Sequence, residues 1–212
     1  MSKHRKVVKG FLFLLCLAPL AWLLTAAATD NLSANPVKDI TEETGVWTLR
    51  FLLITLCITP IRKLTSWNEI IKYRRMLGLF AFFYGFLHFI TYAWLDQFFS
   101  LADIVQDVYK RPFITAGFTG FVVMIPLAIT STKKWIGRLG GKQWQLLHRL
   151  TYASAIAGVV HYLWLVKADT QRPLTYGALL SILLGFRLFT SLSDRVPAKI
   201  VWGPNRVFWK QS

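Results

Sequence analysis

The sequence predicts an all-α integral membrane protein of six transmembrane helices with both termini in the cytoplasm. Three observations predict it. Of 212 residues, 54% are hydrophobic and only 17% charged, below the roughly 25% of an ordinary soluble domain. The net charge is nevertheless +15, from 25 Lys and Arg against 10 Asp and Glu. The length admits about six spans, because each needs about 20 residues and a connection. An apolar mass and a basic excess coexist most simply when the charges are confined to loops. Such hydrophobicity excludes disorder. A nucleic-acid binder would also be basic but would not carry long apolar runs, so no nucleic-acid partner is expected.

The spans follow in order. The first covers about residues 8–28 and contains Pro19. Its basic start and Ala26-Ala27-Ala28 resemble a signal peptide, a reading that leaves the later topology unchanged because residue 29 is outside either way. The second, about 46–61, is short and carries Arg50. The third is about 75–95, the fourth about 112–130 with Pro126, the fifth about 143–166 and the sixth about 173–190. Proline is tolerated inside spanning helices, so Pro19 and Pro126 predict kinks. The tail, 191–212, is basic with Trp202, Phe208 and Trp209 and is expected to lie on anionic membrane lipids. Cys16 and Cys57 both lie in apolar runs, so no disulfide framework is implied.

Charge sets the orientation. The N-terminus, loops 62–75 and 131–149 and the tail together hold 19 Lys and Arg; the alternate loops hold 5, namely Lys38, Lys110, Arg111, Lys167 and Arg172. The positive-inside rule therefore puts both termini in the cytoplasm. Eight of the ten acids fall on the opposite face. Trp22, Trp47, Trp67, Trp94, Trp135, Trp144 and Trp164 sit near span ends, as an aromatic belt does.

Three histidines are expected in or at the edge of spans: His88, His148 and His161. Ionisable groups inside a membrane are costly and read first as functional. Spans three and five run in the same direction. At 1.5 Å per residue, His88 lies about 21 Å from the inner end, His161 about 28 Å and His148 about 9 Å. His88 and His161 are therefore the better pair for one metal or haem. A second, inner site would use His148, but 13 residues of helix turn His148 roughly 140° away from His161, so a bend near Gly158 would be required. Two imidazoles from facing helices suit axial haem ligation, and the spans lack the carboxylates that calcium, magnesium or di-iron sites need. Gly78, Gly85, Gly117, Gly120 and Gly158 remove bulk between helices, either for a flat macrocycle or for helix packing. Two rival readings remain on residues alone. One is a membrane transporter with the histidines as a proton relay; the other is an assembly factor.

The stretches NPVKDITEETG (35–45), LLITLCITPIRK (52–63), RRMLGLFAFFYGFLHFITYAW (74–94), RPFITAGFTGFVVMIPLAITST (111–132) and GKQWQLLHRLTYASAIAGVVHYLWLVK (141–167) make the chain similar to a known family. It resembles MsrQ (YedZ), haem-binding membrane subunits of the MsrPQ methionine sulfoxide reductase system, in the ferric-reductase-like transmembrane group. The resemblance implies a single such domain over 1–212, in the bacterial inner membrane. It implies haem b, one or possibly two, with His88, His148 and His161 as axial ligands to iron, and also FMN. It implies an electron-transfer subunit rather than a catalytic one. The donor would be the quinone pool or a flavin reductase, and the acceptor a periplasmic molybdopterin subunit, MsrP. NADPH oxidases, distant relatives, carry two histidines on each haem helix; here Arg74 stands 14 residues before His88. Arg74 or Arg75 would then pair with haem propionates or a flavin phosphate, with simple membrane anchoring as the alternative. The nucleotide-binding domain of those oxidases has no counterpart in these 212 residues, so electrons must come from a quinone or another protein.

Overall fold

The computed structural model describes residues 3–193. The chain outside them includes Arg195, Lys199, Arg206 and Lys210 of the basic tail and all three of its aromatic residues. Every element is helical: α1 (Lys3–Ala28), α2 (Pro36–Thr65), α3 (Arg74–Thr91), α4 (Leu101–Lys110), α5 (Pro112–Ile129), α6 (Lys133–Leu147), α7 (Leu150–Leu165) and α8 (Gln171–Ser193). A 3-10 turn, Asn68–Tyr73, leads into α3, and a π-helical turn, Tyr92–Asp96, extends it. Among the described residues five helices are long and apolar enough to cross a membrane. The sixteen-residue α7 is a shorter apolar helix packed among them. The protein is thus an all-α, multi-pass membrane protein, consistent with six crossings.

Local chemistry starts and stops these helices. Asn35 caps α2 by accepting from the Lys38 amide at 3.1 Å, with Pro36 as first helical residue. Ser66 ends it in the left-handed region, φ 56°. Thr132 caps α6 by accepting from the Trp135 amide. Pro112 opens α5 directly after α4. The expected kink at Pro19 has a specific repair. The Tyr84 hydroxyl, from α3, accepts from the Leu20 amide (3.2 Å) and donates to the Cys16 carbonyl (2.9 Å). Those are the groups that would otherwise bond each other across one helical turn. Tyr84 is itself almost fully buried among Phe51, Phe83 and Trp47.

Two features differ from the sequence expectation. The apolar stretch 143–166 is not one helix. Its first five residues belong to α6, and the chain turns at His148 and Arg149 before α7 begins. Trp144 donates its indole N–H to the Thr130 carbonyl at 2.9 Å, folding α6 back onto the end of α5. α4 was not anticipated. It is a short helix with Ile104 turned inward, moored through Asp107, which accepts from Tyr92 (3.2 Å) and Gln97 (3.1 Å) and pairs with Arg111 (3.3 Å).

The tightest helix pairs are α2 with α3 and α5 with α7, and α3 also packs on α5. Small residues permit the approach. Gly120 lies where a Cβ would stand 3.2 Å from that of Ala157, and its carbonyl accepts from Ser154 at 3.1 Å. The two pairs put α3 and α7 inside the bundle, each backed by its own partner helix.

Candidate functional site

His88, on α3, and His161, on α7, face each other with ring centroids 6.1 Å apart and planes at 74°. Each ring leans on the helix that backs its own. The His88 Nδ1 donates to the Thr41 carbonyl of α2 at 2.9 Å, and the His161 Nδ1 donates to the Phe113 carbonyl of α5 at 2.6 Å. A carbonyl can only accept, so Nδ1 carries the proton and Nε2 the lone pair in both rings.

A glycine lies one turn beyond each carbonyl. A Cβ on Gly45 would stand 3.0 Å from the His88 Nδ1 and Cε1, and one on Gly117 would stand 2.7 Å from the His161 Nδ1. The two sites therefore share one construction: a carbonyl at position i, a bare glycine at i+4, and an imidazole laid flat across the gap. This orients both rings without any side-chain partner, leaving both Nε2 atoms for a ligand between α3 and α7. Gly117 was among the candidate glycines; Gly45 and the two carbonyls were missed. Gly45 ends a quoted motif, but nothing in one sequence says which histidine rests on it.

His148 is elsewhere. It caps α6 at the basic end of the bundle, stacked on Trp144 with centroids 3.8 Å apart. Its Nδ1 donates to the Trp144 carbonyl at 3.0 Å, and its Nε2 lies 3.4 Å from the Ser131 hydroxyl, which itself donates to the Leu127 carbonyl at 2.7 Å. The 140° mismatch with His161 is thus resolved by a break in the chain, with no bend at Gly158 needed. Outside the spanning helices, burial holds the His148 imidazole below its usual range. Among the described residues no three His, Cys, Asp or Glu side chains converge as a metal cluster.

Arg74 and Arg75 part company. Arg75 is exposed, whereas Arg74 is turned inward at the start of α3, within electrostatic reach of His148. Arg187 of α8 lies beside it, donating to the Tyr152 hydroxyl and, at 2.8 Å, to the Leu56 carbonyl, with its guanidinium 4.9 Å above the Tyr152 ring. Arg50, within α2, has its charge over the Trp47 ring at 4.6 Å and donates to the Tyr176 hydroxyl at 3.0 Å.

Residues 44–159 match the family described as ferric reductase like transmembrane component. That segment contains His88, His148 and both glycine supports, and it ends two residues before His161. A protein-methionine-sulfoxide reductase heme-binding subunit MsrQ from Herminiimonas arsenicoxydans is 50% identical over 191 residues, 89% of this chain and 88% of its own length. The MsrQ of Azospira oryzae is 52% identical over 88% of this chain and 80% of its own. That of Ralstonia nicotianae is 46% identical over 88% and 87%. No solved structure matches the chain. With half the residues shared across nearly the whole length, the chain belongs to the MsrQ family of the ferric-reductase-like transmembrane proteins.

Proposed function

We propose that this chain is the haem b electron-transfer subunit of a methionine sulfoxide reductase system in a bacterial inner membrane. It takes electrons from the quinone pool or a flavin reductase and delivers them to MsrP, a periplasmic molybdopterin subunit that repairs oxidised proteins. The observation that carries this reading is the His88–His161 pair. With a metal–imidazole bond of about 2 Å, one metal could be held by two rings whose centroids are about 6 Å apart. The 6.1 Å between the rings suits that spacing, with Nδ1 of each ring engaged by a carbonyl and Nε2 left for the metal. Haem b in that gap would supply a one-electron carrier.

The protein's own residues do the rest. His88 and His161 would hold the iron, with their tautomer fixed by the carbonyls of Thr41 and Phe113. The aromatic side chains Phe82, Phe86, Phe89 and Phe121 stack on one another along α3 and α5. His148 would ligate a second haem at the basic end, with Arg74 beside it, and FMN is the further cofactor that family membership suggests. Arg74, rather than the exposed Arg75, would meet a propionate or a flavin phosphate. The basic end faces the cytoplasm, so the His88–His161 pair lies toward the periplasmic side and its acceptor.

The test is the spectrum of the purified chain. The reduced protein shows a b-type α band, and His88→Ala and His161→Ala each abolish the component of that site. A colourless protein, or full haem in both variants, overturns the reading. Loss in His148→Ala of a second component only counts the haems as two.

A further inference from the structure

Three guanidinium groups gather at the basic end, and among the described residues no carboxylate pairs with them. Arg62, Arg187 and Tyr152 all lie within electrostatic reach of Arg74, and the Tyr152 hydroxyl accepts from Arg187. Glu69, the acid of that end among the described residues, is engaged with Arg5 at 3.5 Å and Lys72 at 2.5 Å. Mutual repulsion of three half-buried charges at a membrane edge is costly unless an anion sits among them.

Ordinary anchoring does not account for the arrangement. An anchoring arginine extends its head group to water. Arg187 does the reverse. Its two terminal nitrogens are spent on Tyr152 and the Leu56 carbonyl, and its Nε is buried with no partner. A second buried polar atom without a partner, the Thr59 hydroxyl, lies one turn beyond Leu56 on α2, and Arg62 follows by the same step. The guanidinium groups of Arg62 and Arg74, the spare N–H of Arg187 and the spare hydroxyl of Thr59 are the kinds of donor that a multiply charged oxyanion uses.

We propose that Arg62, Arg74 and Arg187, with Tyr152 and Thr59, form a site for a dianionic oxyanion group at the basic end of the bundle. Such a group could come from a flavin phosphate, from a pair of haem propionates or from a phospholipid headgroup. The inference deepens the cofactor reading by adding Arg187, Arg62 and Thr59 to Arg74. It survives that reading's failure, because a colourless protein can still hold a phosphate.

The test uses the full chain, purified in mild detergent, as wild type, Arg187→Gln and Arg187→Lys. Three arms separate the sources. FMN and riboflavin, which differ by the phosphate, are titrated against each form. Reductive titration reads the haem midpoints, and lipid phosphorus is measured per chain after exhaustive exchange. A flavin-phosphate site binds FMN about tenfold or more tightly than riboflavin, the worth of one charge-assisted hydrogen bond, and Arg187→Gln erases the preference. A propionate site lowers one haem midpoint in Arg187→Gln and less so in Arg187→Lys. A headgroup site keeps lipid phosphorus that Arg187→Gln releases. Any one of these dependences supports the site. Should Arg187→Gln fail to fold, Arg62→Gln, which removes no hydrogen bond between helices, is read in the same three arms. Equal FMN and riboflavin binding, with unchanged midpoints and unchanged lipid phosphorus in the folded variant, overturns the proposal.

Discussion

His88 and His161 owe their geometry to two residues with no side chain. Gly45 and Gly117 let an imidazole lie against a neighbouring helix closely enough to reach the carbonyl one turn earlier. A methyl group there must push either the ring or the helix. Gly117→Ala is the more severe, since its Cβ would stand 2.7 Å from the His161 Nδ1, against 3.0 Å at Gly45. Overpacking of this kind costs about 1–3 kcal/mol, or roughly a five- to hundredfold loss of haem retention. Gly117→Ala is expected to lose more haem than Gly45→Ala on gel filtration of the reduced protein, with the remaining band broadened. Equal and full retention in both would show that the rings do not need these supports. Of this site the sequence made legible the two histidines and their shared level, because depth along a helix is simple arithmetic. The supports were not legible, because a backbone carbonyl has no residue identity and the helix that supplies it is set by packing.

At the scale of the element, α1 is held by one hydroxyl. Pro19 removes an amide from the helix and opens its ladder, and Tyr84 of α3 fills the gap between Cys16 and Leu20. Tyr84→Phe keeps the ring and its stacking on Phe51 but leaves an amide and a carbonyl unsatisfied where no water substitutes. The expected loss is about 1–3 kcal/mol, read as a lower thermal midpoint in detergent with the haem spectrum unchanged below it. An unchanged midpoint would mean the Pro19 gap is repaired some other way. The proline was visible in the sequence; its partner 65 residues away was not. The same holds for α6 and α7. The run Trp144, Leu146, Leu147, Leu150 is as apolar after the break as before it. What ends α6 is Trp144 reaching the Thr130 carbonyl, a tertiary contact that no hydropathy window contains. α4 was missed for a different reason: Leu101, Ile104, Val105 and Val108 do recur at helical spacing between Ser100 and Pro112, but the helix is too short to register as a span.

Across the whole molecule, charge asymmetry decides direction. With 19 basic residues on one set of loops and 5 on the other, the positive-inside rule leads to the expectation that the end bearing Arg74, His148 and Arg187 faces the cytoplasm. The bundle then has a vector, with His88 and His161 toward the periplasm and the arginine cluster at the opposite end. Electrons from a donor at or below the inner surface would leave on the side where the oxidised proteins are. Reversing the orientation would reverse the role of each site without changing any distance in it, so orientation is the property on which the functional reading most depends. Two single-cysteine forms test it in a background where the buried Cys16 and half-buried Cys57 are replaced by alanine. Asn31→Cys lies in the exposed connection after α1, and Gly137→Cys on the exposed side of α6. A membrane-impermeant thiol reagent applied to intact spheroplasts is expected to label Asn31→Cys and spare Gly137→Cys. Lysed membranes should label both. Labelling of Gly137→Cys alone in intact spheroplasts would invert the topology and remove the periplasmic acceptor from reach of the His88–His161 pair.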